Sequence, residues 1–73
     1  SQKDFKTSLQ EKFHALHQPS PTYEIIAKEG SEHEPIFKVK VALNNEIFAF
    51  GKGKNKKAAE QQAAHNLLEI MDK

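Results

Sequence analysis

The stretch Gly51-Lys52-Gly53-Lys54-Asn55-Lys56-Lys57-Ala58-Ala59-Glu60-Gln61-Gln62-Ala63-Ala64 joins two kinds of pattern. Before it, residues 36–50 are apolar and largely alternating, the period of a strand with one buried face. After it, Ala59, Ala63, Leu67 and Met71 recur every four residues, the period of one helix face. Asn55 is a preferred N-cap type, so a helix is predicted from Lys56. Lys54, Lys56 and Lys57 then surround a helix N-terminus, where unpaired N–H groups and the macrodipole already favour anions. Cations at that end cost local stability, and a phosphate partner would offset the cost. This departure from the usual charge placement is the first sign of function.

Working towards the N-terminus, residues 46–50 are predicted as a third strand of ambiguous facing, because Ile47 and Ala49 suit one side while Phe48 and Phe50 suit the other. Asn44-Asn45 is read as a two-residue hairpin turn, since asparagine tolerates positive φ. Residues 36–43 form the clearest strand, with Phe37, Val39, Val41 and Leu43 inward and Lys38, Lys40 and Ala42 outward. A polar loop, residues 30–35, carries His33. Residues 22–29 form the first strand, with Tyr23, Ile25 and Ala27 on one face and Ile26 on the other. Asp4 is a candidate N-cap for a first helix whose stripe is Phe5, Leu9, Phe13 and Leu16; it is expected to reach about His17 and to stop before Pro19. The resulting fold class is α+β in the order α-β-β-β-α: a three-stranded antiparallel sheet with two helices packed on one face. Ala59, Ala63 and Ala64 would let the second helix approach the sheet closely.

Length and composition bound the rest. Seventy-three residues make one domain, with a core at about 4–71, and Ser1 reads as a joint left by excision from a longer protein. The absence of cysteine rules out disulfides and thiolate sites and fits a reducing, cytoplasmic setting. No apolar run approaches the roughly 20 residues of a bilayer span, and the N-terminus lacks a signal-peptide core. The net charge is only +1, but Lys52, Lys54, Lys56 and Lys57 crowd one joint while Glu29, Glu32 and Glu34 lie elsewhere. There is no arginine, so bidentate guanine readout is not available.

Each candidate motif has a plainer alternative. Gly51-x-Gly53 lacks the spacing of a P-loop, and Lys56 stands where a dinucleotide fingerprint needs its third glycine; the plain reading of both glycines is a turn out of a strand. His14 and His17 are three apart but have no third ligand at a known metal spacing; His17 is expected on the surface and His65 on the outer flank of the last helix. No carboxylate pair marks a hydrolytic centre, and no catalytic residue or metal site is assigned. Thr7, Gln10, Glu11 and His14 share a polar helix face that could be merely solvated. What changes the balance is that three patches occur together: this face, the His33 loop and the lysine joint. Amides, hydroxyls and imidazole suit the 2′-hydroxyls of an A-form minor groove, and lysines suit phosphates. The patches carry no interleaved aromatic residues, which argues against stacking on unpaired bases.

The chain resembles the double-stranded RNA-binding domain family from Asp4 to about Met71. Gly51-Lys-Gly-Lys-Asn-Lys-Lys-Ala-Ala resembles the family signature G-x-G-x-S-K-K-x-A, and Asp4-Phe-Lys-Thr-Ser-Leu-Gln-Glu11 with Pro21-Thr-Tyr-Glu24 is similar to the C-terminal domain of bacterial ribonuclease III. The resemblance implies three contact regions for duplex RNA: Thr7, Gln10, Glu11 and His14 in one minor groove, Gly30 and His33 in the next, and Lys54, Asn55, Lys56 and Lys57 on the phosphates between. Several positions depart from the pattern. Ser31 replaces a proline, which is expected to loosen the loop; Asn55 replaces serine; Glu60 replaces a lysine and removes one phosphate contact; His14 stands where that branch often has glutamine. The acidic nuclease signature is absent, so the resemblance implies that this chain binds and positions RNA without cutting it. It needs no cofactor of its own. A divalent metal, magnesium, and a homodimer contact would belong to a nuclease domain outside this chain. The alternative is a protein-interaction or dimerisation module on the same fold, which an exposed Phe48 or Phe50 would favour. A stand-alone enzyme lacks any assembled site.

Overall fold

The structure, a computed structural model, describes residues 4–73; the expected start of the domain at Ser1 lies outside the described residues. The order is α1 (Phe5–Ala15), β1 (Tyr23–Gly30), β2 (Pro35–Ala42), β3 (Phe48–Gly53) and α2 (Lys56–Met71). The strands form an antiparallel sheet in the order β1-β2-β3. α2 lies across β3 and β2, and α1 packs chiefly on α2. The buried side chains are Leu9 and Phe13 of α1, Val39 and Val41 of β2, Ala49 of β3, and Ala59, Ala63, Ala64 and Leu67 of α2. Leu9 and Leu67 alone contribute about 1.5–3 kcal/mol each in apolar burial.

Gly51 and Gly53, read from sequence as a turn, lie instead inside β3 beneath α2. A Cβ on Gly51 would sit 2.2 Å from the Ala63 nitrogen and 2.5 Å from the Ala59 carbonyl oxygen. A Cβ on Gly53 would sit 2.4 Å from the Ala59 nitrogen. The glycines thus remove side chains from the strand where the alanines minimise them on the helix, and the two backbones meet.

Three local expectations are corrected and a fourth point, left ambiguous by the sequence, is settled. First, α1 ends at Ala15, short of His17. His17 takes a left-handed φ of 59°, its N–H bonds to the His14 carbonyl (3.0 Å) and the Gln18 N–H bonds to the Phe13 carbonyl (2.9 Å). This helix-terminating turn satisfies the Phe13 and His14 carbonyls before Pro19 is reached, and Leu16 is left exposed. Second, β1 carries a bulge between Ile25 and Ala27. Ile25 is paired with Val39 but Ala27 with Lys38, so the bulge turns Ala27 to the outer face. Third, the β2–β3 connection is a five-residue loop, 43–47, rather than a two-residue turn. The Asn44 side-chain oxygen accepts from the Glu46 and Ile47 N–H groups, both at 2.8 Å, so its polarity, not positive φ, makes the turn. β3 accordingly starts at Phe48 and not at residue 46.

Fourth, the ambiguity of β3 is resolved with Ala49 and Gly51 inward and both Phe48 and Phe50 on the outer face. Their rings meet edge to face at 5.7 Å between centroids. The Lys40 ammonium lies 4.6 Å from the Phe48 ring centre and that of Lys38 lies 4.9 Å from the Phe50 ring centre. These cation–π contacts put charge over the outer aromatic surface.

α1 is tied to α2 by polar contacts as well. The Asp4 carboxylate accepts from the Thr7 N–H (3.1 Å) and from the Gln61 side-chain amide (2.8 Å). The Gln61 oxygen accepts from the Phe5 N–H (2.8 Å) and the Lys6 N–H (3.3 Å). The bonds that the Asp4 carboxylate accepts, the one from Gln61 first, lower its pKa from 3.8 to about 2.

Two outcomes are expected. Gly51→Ala, a change that elsewhere in a strand gains from reduced chain entropy, should here lower unfolding free energy by about 3 kcal/mol through overpacking; a urea midpoint equal to that of the parent would show that α2 can lift off β3 freely. Because the Asp4 carboxyl is depressed on folding, its contribution is fully present above its ordinary value of 3.8 and is lost as pH falls through about 2. The parent chain should therefore lose more of its urea midpoint between neutral and acid pH than Asp4→Asn, which keeps an acceptor but no titrating carboxyl. Equal acid losses would remove Asp4 from the pH dependence.

Candidate nucleic-acid interface

The lysine joint follows directly from the close packing of β3 and α2. β3 ends at Gly53 and α2 begins at Lys56, so only Lys54 and Asn55 lie between them. Asn55 is extended (φ −146°, ψ 170°), and its side-chain oxygen accepts from the Ala58 N–H at 2.8 Å. Its carbonyl takes the Ala59 N–H at 3.0 Å. The amides of Lys56 and Lys57 remain the unpaired donors of this helix start among the described residues. Lys54, Asn55, Lys56 and Lys57 are all exposed. Among the described residues no carboxylate forms an ion pair with Lys54, Lys56 or Lys57. Lys52 differs: it alternates to the outer sheet face and pairs with Glu29 at 3.3 Å. The cluster is therefore three lysines, not the four that the sequence crowds together.

The His33 loop reaches the same end of the sheet. Gly30 pairs with Pro35 and Phe37 with Gly53, so residues 31–34 and the lysine joint project beyond the same strand ends. Gly30 has φ +79°, and a Cβ there would lie 2.4 Å from the Glu34 carbonyl oxygen, so the loop's sharp departure from β1 needs glycine. Ser31, expected in place of proline to loosen the loop, makes a bond within it: its hydroxyl accepts from the Glu34 N–H at 3.0 Å. His33 is exposed at the tip.

On α1, Thr7, Gln10, Glu11 and His14 are exposed and line one shallow hollow with Gln18 and Ser20. A second hollow, lined by Asp4, Phe5, Asn55, Lys57, Gln61 and neighbouring residues, runs between the starts of the two helices. The contacts of Asp4, Phe5 and Lys6 with Glu60 and Gln61, and of Lys12 with Asp72, set the helices running in the same direction. The N-terminal ends of the α1 face and of the lysine joint are thereby neighbours, while the His33 loop joins the lysines across the sheet end.

Several contributors escape a reading of the sequence. Glu60, read as a lost phosphate contact, bonds Lys6 at 2.6 Å and helps seat α1. Lys6 also lies over the Tyr23 ring, 5.0 Å from its centre. Tyr23 is pushed up to about 12 by burial and by the nearby Glu60 and Asp4 carboxylates, so it stays a neutral phenol. His65 is not on an outer flank: its ring lies 4.4 Å from that of Phe5, between the helices, with Glu69 at 3.3 Å. Nothing in the sequence singles out Gln61. Its partners are 55 to 57 residues away, and no local pattern in α2 announces them. Among the described residues no cluster of three or more His, Asp or Glu could hold a metal ion, and no helix is long and apolar enough to cross a membrane.

Comparison with known proteins agrees with this geometry. Residues 5–71 match the model of the double-stranded RNA binding motif. The chain is 44% identical over 71 residues to Ribonuclease 3 of a Sulfurovum species, covering 97% of this chain and 32% of that protein. It is 44% identical over 69 residues to Ribonuclease 3 of a Nitratiruptor species, covering 94% and 30% respectively. It thus spans about a third of the length of these relatives. A solved structure of Arabidopsis HYL1, described for its implications in miRNA processing, superposes with a TM-score of 0.81 at 38% identity, covering 97% of this chain and 100% of that one. With a family model matched over nearly its whole length and the α-β-β-β-α order in place, the chain belongs to the double-stranded RNA binding motif family.

Proposed function

We propose that this domain binds double-stranded RNA by shape. Thr7, Gln10, Glu11 and His14 would enter one minor groove and meet 2′-hydroxyls. The Gly30 backbone and His33 would reach the next minor groove. Lys54, Asn55, Lys56 and Lys57 would hold the phosphates of the intervening major groove, over a footprint of about 16 bp. The observation that carries the reading is the lysine joint: three exposed ammonium groups without carboxylate partners among the described residues stand beside unpaired amides at the positive end of α2. That arrangement is unfavourable for the free chain and favourable once an anion docks. Duplex RNA supplies such anions at regular spacing, with 2′-hydroxyls within reach of the amide, hydroxyl and imidazole groups on α1 and the loop.

In this reading the domain is the RNA-positioning part of a ribonuclease III-type endoribonuclease. It carries no hydrolytic group itself. Cleavage, the divalent metal (magnesium) it would require and a homodimer contact belong to a separate nuclease domain, in a cytoplasmic enzyme. The support is the similarity to the two Ribonuclease 3 proteins over the length of this chain. A partner-binding role draws some support from β3, where Phe50 is exposed and Phe48 half-buried, but the Lys38 and Lys40 ammonium groups lie over the rings of Phe50 and Phe48 and put charge on that surface.

The direct test is a titration with a 20-bp RNA duplex, beside the same-sequence DNA duplex and single-stranded RNA, at several salt concentrations. Preference for the RNA duplex, with a constant that falls as salt rises, is expected; equal affinity for all three would overturn the proposal. Replacing Lys56 and Lys57 with alanine should reduce the log–log salt slope by about 0.9 per lost phosphate contact, borrowing the value for duplex DNA. An unchanged slope would take these lysines off the backbone. His33→Ala should weaken binding by roughly two- to tenfold, the worth of a single hydrogen bond, with the thermal midpoint retained; undiminished affinity would make the loop a spectator.

A further inference from the structure

We infer that Gln61 is a positioning residue for duplex RNA: one side-chain amide holds the minor-groove face of α1 in register with the lysines at the start of α2. The inference rests on the RNA-binding reading above and adds a residue that need not touch RNA.

Both ends of the Gln61 amide are used. Its oxygen accepts from the Phe5 and Lys6 N–H groups at 2.8 and 3.3 Å, two of the amides that the start of α1 cannot satisfy within the helix. Its nitrogen donates to the Asp4 carboxylate at 2.8 Å, and that carboxylate accepts from the Thr7 N–H at 3.1 Å. Asp4 and Gln61 together thus do for α1 what a local capping box does within one chain segment, but the second half comes from α2. On the α2 side, Gln61 lies four residues, one helical turn, after Lys57, and both line the hollow that separates the helix starts. Thr7, a predicted minor-groove contact, is therefore two hydrogen bonds from Gln61, and Lys57, a predicted phosphate contact, is one turn from it.

Other contacts cannot supply the same constraint. α1 packs chiefly on α2, through the buried side chains of Leu9 and Phe13. Apolar packing is favourable but non-directional, and it leaves rotation and sliding of α1 less tightly determined. The Lys6–Glu60 and Lys12–Asp72 ion pairs join flexible side chains, and the Phe5–His65 ring contact, like other apolar packing, is weakly directional. The amide clasp acts on backbone N–H groups, so it fixes the helix itself. The two contact regions differ in their tolerance. Lysines follow phosphates as flexible point charges, whereas short side chains in a minor groove need placement to about 0.5 Å. Loss of the clasp should therefore damage the contacts of α1 and spare those of the lysines.

The test uses Gln61→Met, which removes both hydrogen-bonding ends at similar length and helix propensity. In the folded variant, affinity for the 20-bp RNA duplex should fall about tenfold, the preference for RNA over DNA duplex should shrink, and the salt slope should stay as in the parent. Combined with Gln10→Ala, the loss should be less than additive, since both changes act through α1. A second route does not depend on that variant folding. Gln61→Glu keeps the acceptor but sets a carboxylate against Asp4, and Asp4→Asn/Gln61→Glu restores the pair with donor and acceptor exchanged. The exchanged pair should recover the RNA-over-DNA preference that Gln61→Glu alone loses. A parent-like preference in both single variants, or equal losses on RNA and DNA with no recovery in the exchanged pair, would overturn the inference. If the parent chain itself shows no preference for duplex RNA, the RNA-binding proposal fails instead, so the two failures are distinguishable.

Discussion

Backbone contact between α2 and β3 sets most of the geometry of this domain. Where Gly51 and Gly53 face Ala59 and Ala63, no side chain larger than a methyl group separates strand from helix. A chain of this length can bury only a modest core, and eliminating the space between layers is one way to make that core sufficient. The close approach also explains the abrupt joint. With the helix lying on the strand, the chain must turn from β3 into α2 within two residues, and Asn55 supplies the cap that such a short connection needs. The lysines of the joint stand exposed at the rim, beyond the end of β3.

The same packing distributes charge. Along β3 the side chains alternate, and the inward positions must be small, so Lys52 is sent to the outer face, where it meets Glu29. Phe48 and Phe50 are sent there too, beneath the ammonium groups of Lys40 and Lys38. Three further lysines collect at the helix start, without ion partners among the described residues. With a net charge of +1, the chain gains its basic character by segregation: among the described residues Lys6, Lys12 and Lys52 are ion-paired, and Lys28, Lys38 and Lys40 lie over aromatic rings. An electrostatic footprint for a polyanion thus arises from placement and not from composition.

The clasp between the helices is a different kind of constraint. Asp4 and Gln61 satisfy amides at the start of α1 that would otherwise face water, and they do so across the interface between α1 and α2. Stability of α1 and orientation of its polar face are therefore served by the same few hydrogen bonds. This accounts for the lowered Asp4 carboxyl and for the arrangement of Lys6, Glu60 and Tyr23 around it.

How much of this was legible in the sequence differs by range. The α-β-β-β-α order, the inward run Phe37, Val39, Val41 and Leu43, the cap at Asn55 and the exposed lysines after Gly53 all follow from local periodicity and capping chemistry, which act over a few residues. The exposed Thr7, Gln10, Glu11 and His14 were likewise visible as one helix face. Other features were not readable locally. The bulge that turns Ala27 outward is a property of β1 against β2, since register exists only between strands. The outward facing of both phenylalanines depends on α2 occupying the other side of β3. The role of Gln61 depends on a helix start more than fifty residues away. Sequence by itself determined which elements form and which charges lie at their ends, because those are short-range energies. Tertiary structure alone decided which face each side chain presents and which patches become neighbours, because those depend on contacts between segments that the order of residues does not bring together.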